Sequence, residues 1–276
     1  MFTDHITGET AGWRHPLPER LHKPVLGAFL LWLGVNLTVL ALGLPWPSAL
    51  PWLEGGVWLL AATTTLVGLA RRLPLQNVVA VALIATGIAF AILWIGALTD
   101  IPFGRREFSA RLGDRLVGQV PWTLPFLWVT LTVAGRGVAR LILRPWRKLT
   151  YYGLWVMGLA TLLSLTFDFA LEPFAFIRGW WRWEALPGTP AWHSAPWVNF
   201  LGWTLTTLLI YGFTTPWLLN KQPVKQPTDW HPLLVWCSLL LLLGTVSALA
   251  GAWDAVSIIA LLGCMSVTAA VRGGNW

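Results

Sequence analysis

Residues 78–98 read "VVAVALIATGIAFAILWIGAL". They make an uninterrupted run of 21 positions without a charge. At about 1.5 Å of rise per residue, a helix of that length crosses a hydrocarbon layer of roughly 30 Å. The chain around the run has the same character: of 276 residues, 56% are hydrophobic and only 11% charged, where soluble domains carry about a quarter. Water is not its main solvent. The fold class is therefore all-α, a polytopic transmembrane helix bundle, since a β-barrel would show short alternating segments.

Working outward from that run, apolar stretches mark about eight spans. They are 24–44, stopped by "PWP" (45–47), 51–70, closed by Arg71 and Arg72, then 78–98, 120–140, 151–175, 198–219, 232–252 and 255–271. The last two join through "AWD" (252–254) as a tight hairpin. The final segment sits at the short limit for a span, so seven is the alternative count. Residues 1–23 are mixed polar and lack the apolar core and small-residue cleavage site of a signal peptide. They are expected to form a cytoplasmic N-terminal segment before a single transmembrane domain over 24–272.

The net charge of +7 invites a nucleic-acid reading, but the basic residues fall between spans. "RGVARLILRPWRK" (136–148) holds five of them without an acid, the pattern of an anchor against anionic lipid headgroups. Nucleic acid is thus excluded as a partner, and membrane lipid takes its place. With the N-terminus inside, inner segments carry 13 Lys and Arg and outer ones carry 6. Both termini are expected in the cytoplasm, with the bundle in a bacterial inner membrane. Cys237 and Cys264 are isolated in apolar runs, which speaks for packing rather than a disulfide or zinc site. In the loop 99–119, Leu112, Leu116, Val117 and Val120 recur at helical spacing. A short amphipathic surface helix is expected near 105–119.

Against this apolar background, "FDFALEPFAFIRGWWRWE" (167–184) places Asp168 and Glu172 four residues apart. That spacing puts both on one helix face. Intramembrane carboxylates are costly unless paired or facing a polar cavity, so they are functional candidates by default. The bland alternative ties them to Arg178 or Arg182 at the interface. If both face one dry chamber, at least one is expected to keep its proton at neutral pH and to serve as a general acid. The next span brings Asn199 and Trp203 to the same end on a shared face. The 21 tryptophans exceed an interfacial belt. Trp94 and Trp128 lie inside spans, where they fit either ordinary packing or the lining of a long planar ligand. His193 is the lone histidine of an outer loop. No metal-ligand spacing, phosphate loop or nucleophile elbow stands out, so no metal and no cofactor are expected.

The segments "PFG" (102–104), "LG" (112–113), "VPW" (120–122), Asp168, "EP" (172–173), "WRW" (181–183) and "PWVNFLGW" (196–203) occur in that order. This order resembles the membrane-integral carotenoid biosynthesis family that includes the carotenoid 1,2-hydratases. The resemblance implies addition of water to the terminal 1,2 double bond of a linear, lycopene- or γ-carotene-like carotenoid, without a cofactor. It also implies that Asp168 or Glu172 is the acid and that Asn199 orients the water. Trp181, Trp183 or Trp203 would face the cation, and Phe103 and Phe200 would join Trp94 and Trp128 along the ligand. Where the family pattern has an acid before "PFG" and Tyr-x-Tyr after it, this chain has Trp94 in the third span and Arg106 and Phe108. Lost polar groups point to the alternative, a non-catalytic carotenoid-binding subunit, alone, as an oligomer or in a pigment–protein complex. A proton-relay transporter is the third reading, disfavoured by the absence of repeats.

Overall fold

The opening run becomes the body of a 25-residue helix, Leu75–Thr99, set off by Pro74 and ended by Asp100 in the left-handed region at φ 63°. The computed structural model describes residues 16–47, 49–184, 190–219 and 227–276. Among these, eight α-helices form an antiparallel bundle: α1 (Pro16–Ala41), α2 (Val57–Ala70), α3 (Leu75–Thr99), α4 (Leu124–Ile142), α5 (Tyr152–Arg178), α6 (Trp197–Leu218), α7 (His231–Leu249) and α8 (Trp253–Gly274). Six segments are long and apolar enough to cross a membrane, namely α1, α3, α5, α7, α8 and the stretch Pro51–Ala70 that contains α2. The protein is integral to a membrane.

α4 and α6 are the two helices that fall short of that apolarity, and their placement explains it. α4 packs against α2, α3, α5, α6, α7 and α8, and most of its residues are buried. A helix surrounded by protein does not need to be soluble in lipid, so Thr130, Thr132, Arg136 and Arg140 are tolerated there. Thr130 and Thr132 donate their hydroxyls to the carbonyls of Phe126 and Trp128, 2.9 and 2.7 Å away, which leaves no loose polar group at either position. α6 presents Trp197, Leu201, Leu205 and Phe213 outward and keeps Asn199, Thr206, Thr207 and Tyr211 inside.

Three short antiparallel ribbons close the end where α3, α5 and α7 finish. β1 (Arg106–Phe108) pairs with β4 (Trp181–Trp183), β2 (Arg115–Leu116) with β3 (Val120–Pro121), and β5 (Ala191–Trp192) with β6 (Ala195–Pro196). The amphipathic helix expected near 105–119 is absent from this region. Gly113 at φ 91° and Gly118 at φ 72° break any helical run. Of its supposed apolar stripe, Leu112 is buried while Val117 is 71% exposed. Ser109 starts a single 3-10 turn at Ala110–Leu112, and Thr123 fastens that turn by donating to the Leu112 carbonyl at 2.6 Å.

The helices also move some expected boundaries. α1 begins at Pro16 rather than 24, with Pro24 inside it. The fourth span starts at Leu124, because Val120 and Pro121 belong to β3. Residues 1–15 of the expected N-terminal segment lie outside the described residues. Cys264 is exposed on α8 rather than packed inside.

Pro173 interrupts α5 and has no N–H to give the carbonyl of Phe169. The indole of Trp192 in β5 fills the gap, donating to that carbonyl at 2.9 Å. The carbonyl freed by Pro173 thereby becomes an anchor for the α5–α6 connection. At the opposite end, Arg71 pairs with Glu19 (3.0 Å) and Arg72 with Asp229 (2.7 Å). There Arg144 binds Thr228 and the carbonyl of Gly274, which brings the start of α1 and the end of α8 to one side.

Candidate active site

Asp168 and Glu172 lie one turn apart in the second half of α5, and Asn199 lies in the first turn of α6. None of the three has any solvent-exposed surface. A single amide joins them: Asn199 Nδ2 donates to Asp168 Oδ2 at 2.7 Å and to Glu172 Oε1 at 2.9 Å. The remaining oxygen of Glu172 accepts two indole N–H bonds, from Trp181 at 3.0 Å and Trp183 at 2.9 Å. The alternation of β4 makes this possible. Trp181 and Trp183 point inward while Arg182 between them points out. Glu172 thus has three N–H donors, the environment of an ionised carboxylate. Asp168 receives one, and its Oδ1 has no partner in the protein.

Arg106 completes the group. Its guanidinium carbon lies 4.7 Å from the ring centre of Phe103, 4.8 Å from Phe108, 5.6 Å from Trp181 and 5.1 Å from Trp183. Burial pushes the guanidinium down to about 10, and the nearby Glu172 and Asp168 pull the other way. It remains a cation at neutral pH. A cation inside four aromatic faces is favourable, and here it sits beside two acids. Arg106 supplies one positive charge against two carboxyl groups, so the group is neutral when one of the two acids carries a proton.

Phe103 forms the floor of this box. It is wedged between two glycines, and a Cβ on Gly202 of α6 would come within 2.6 Å of its ring, one on Gly96 of α3 within 2.9 Å. The "PFG" and "NFLGW" segments are therefore two halves of one contact. Trp203 follows Asn199 by one turn and lies against Trp128 of α4, with ring centres 4.3 Å apart. Phe200 stacks on Phe169 at 4.1 Å, with Trp197 5.3 Å from Phe200. This aromatic cluster runs from the acids to the outer surface of α5 and α6, where Trp197 is 49% exposed.

Of the residues named from sequence, Asp168, Glu172, Asn199, Trp181 and Trp183 meet directly. Phe103 joins them through Arg106, and Phe200, Trp203 and Trp128 lie alongside. Trp94 does not come to the site: α3 turns Leu93 and Gly96 inward and leaves Trp94 on its outer side. Arg178 is not the partner of the acids either. It grips Glu54 instead, at 2.5 and 3.1 Å. His193 pairs with Asp254 at 3.0 Å, away from the acids. Sequence reasoning missed Arg106 as a site residue. The available signal was an arginine pair directly after "PFG", but only the β1–β4 register decides which of the two turns in. Above Trp183 an open cleft of about 600 Å³ is lined by Arg111, Arg178, Arg182 and Ser194.

The family model of the carotenoid biosynthesis protein matches residues 54–266, which contain every residue of this site. The chain belongs to the carotenoid biosynthesis protein family. Among curated proteins, this family member is similar to the bisanhydrobacterioruberin hydratase of Haloarcula japonica, with 27% identity over 180 residues. The match covers 63% of this chain and 58% of that relative. No solved structure matches the chain.

Proposed function

We propose that this member of the carotenoid biosynthesis family binds a linear carotene and hydrates its terminal 1,2 double bond. The observation that carries the reading is the buried Asp168–Asn199–Glu172 group, in which one acid accepts three N–H donors and the other accepts one and keeps an oxygen without a partner. Asp168 transfers its proton to the less substituted alkene carbon, and the electron pair of the double bond forms the new C–H bond. A tertiary cation remains on the other carbon. Glu172 and the face of Trp203 stabilise it, water adds to it, and the excess proton of that water returns to Asp168. No electron acceptor is needed. The aromatic cluster of Phe169, Phe200 and Trp197 suits the polyene, whose length is comparable to the hydrocarbon thickness.

The name of the Haloarcula relative supports this chemistry. One feature favours a second reading, a carotenoid-binding subunit without turnover: Arg106 already fills the aromatic box, and a resident cation opposes formation of another nearby. Incubating the purified protein with lycopene in water labelled with oxygen-18, followed by mass analysis, separates the two. A labelled tertiary alcohol that disappears with Asp168→Asn supports hydration. Pigment that co-purifies and stays unhydrated sinks it and leaves the binding subunit. On either reading we place the basic end, with Arg71, Arg72, Arg136 and Arg144, at the cytoplasm of a bacterial inner membrane, as one transmembrane domain.

A further inference from the structure

The seam where α4, α5 and α6 meet carries buried polar groups that the acid pair does not use. Asn199 Oδ1, Trp203 Nε1 and Thr207 Oγ1 all lack a partner in the protein, and all three residues are buried. They follow one another at four-residue spacing, so they form a single line on α6. One turn further, the buried Tyr211 hydroxyl donates to the carbonyl of Thr132 at 2.8 Å. Successive turns are about 5.4 Å apart, which is close to two hydrogen bonds of roughly 2.8 Å placed end to end. One water between each pair of neighbours satisfies both. An acceptor, a donor and a hydroxyl in sequence suit water, which can give and take, and do not suit a polyene.

A second observation comes from α4. A methyl group added to Gly135 would have Ser164 Oγ and the Tyr211 hydroxyl at 3.7 Å and the Ala160 carbonyl at 3.8 Å as its nearest neighbours. A methyl would thus sit in ordinary contact with three oxygens, of which Ser164 Oγ already donates to the Ala160 carbonyl at 3.0 Å, and a small space with this polar lining suits a single internal water. Arg136, one turn beyond Thr132, leads from this seat to the basic end, where it donates to the Leu218 carbonyl at 3.1 Å.

Resting on the hydration reading, we propose that the α4–α5–α6 seam is a water file that supplies the reacting water. Water comes in beside Arg136, occupies the seat between Gly135, Ser164 and Tyr211, and passes Thr207 and Trp203 to Asn199. The path from Tyr211 to Asn199 is about 18 Å along the helix. The carotene reaches the acids from the lipid side, so the two reactants arrive by separate routes.

The test is hydroxyl-radical footprinting of the full chain in nanodiscs, which marks buried side chains where water touches them. Trp203 and Tyr211 are expected to be labelled while the fully buried Phe29 of α1 is silent. Gly135→Ala, for which the fold has room, is expected to cut labelling of both by about threefold or more and to slow water capture by about tenfold, with pigment binding kept. If Trp203 or Tyr211 is as silent as Phe29 in the unaltered protein, the file is not continuous and the proposal falls. Labelling confined to Trp183 overturns it in favour of the arginine-lined cleft, and unchanged labelling in Gly135→Ala removes the seat. A labelled file in a protein that forms no alcohol upholds the file and refutes the hydration reading instead.

Discussion

Arg106→Gln and Glu172→Gln, made singly and together, measure how strongly the β1–β4 ribbon is held to α5 by charge. The guanidinium carbon is 5.1 Å from the centre of the Trp183 ring, and the N–H of that same ring is 2.9 Å from Glu172 Oε2. The two charges are therefore within about 10 Å, which at an effective dielectric constant of about 20 gives roughly 1.7 kcal/mol of attraction. Removing Arg106 leaves the fully buried Glu172 without its counterpart, a situation that costs about 3–5 kcal/mol when a pair is buried, whereas the half-buried Arg106 left by Glu172→Gln costs less. The double variant is expected to be more stable than the sum of the two losses predicts, by about 1.5–2 kcal/mol. Reversible unfolding in mixed micelles of dodecyl sulfate and a mild detergent, followed by circular dichroism, supplies all four corners of the cycle. A coupling below about 0.5 kcal/mol would refute the claim that Arg106 is the counter-charge of this site.

Other consequences are open to simpler measurements. Gly202→Ala drives a methyl into the Phe103 ring and is expected to cost about 1–3 kcal/mol of stability, measured by the same unfolding assay, whereas Gly212→Ala on the same helix meets open space and serves as the control. Trp192→Phe removes the donor that serves the Phe169 carbonyl and is expected to cost about 1–3 kcal/mol. Combining it with Pro173→Ala, which restores a helical N–H to that carbonyl, is expected to recover part of the loss; a larger loss in the double variant would contradict the proposed role of the proline. Asn199→Leu unties the two acids and is expected to abolish the hydrated product in the oxygen-18 assay, while Trp94→Leu, on the outer side of α3, leaves product yield within about twofold.

The helices were legible because lipid imposes a single demand, a long and mostly apolar run, which six of the eight meet in full and α6 meets in its lack of charge. α4 is the instructive exception in kind: its run is diluted by threonines and arginines, and it was still readable as a span because the charges cluster at one end. The acid pair and its amide were legible from spacing alone, since i and i+4 on α5 must share a face and α6 returns to the same end. The ribbon was not. The spacing of Leu112, Leu116 and Val120 imitates a helix, and the decisive information lay in Gly113 and Gly118, whose positive φ values end any regular turn. Arg106 and Trp94 were misread for a related reason. Which of two adjacent side chains faces inward depends on strand register or helix rotation, and hydropathy is silent on both where every neighbour is apolar.

The enclosure of α4 by six other helices bears on how the chain is made. A segment with arginines near one end and hydroxyls along its length cannot rest comfortably alone among acyl chains during synthesis, because its proper surroundings include α5, α6, α7 and α8, which are translated later. Its final seat exists only once those partners have arrived. Insertion of this protein is therefore better described as a wait followed by a gathering than as eight independent steps, and the helix at the centre of the bundle is among the last to be settled.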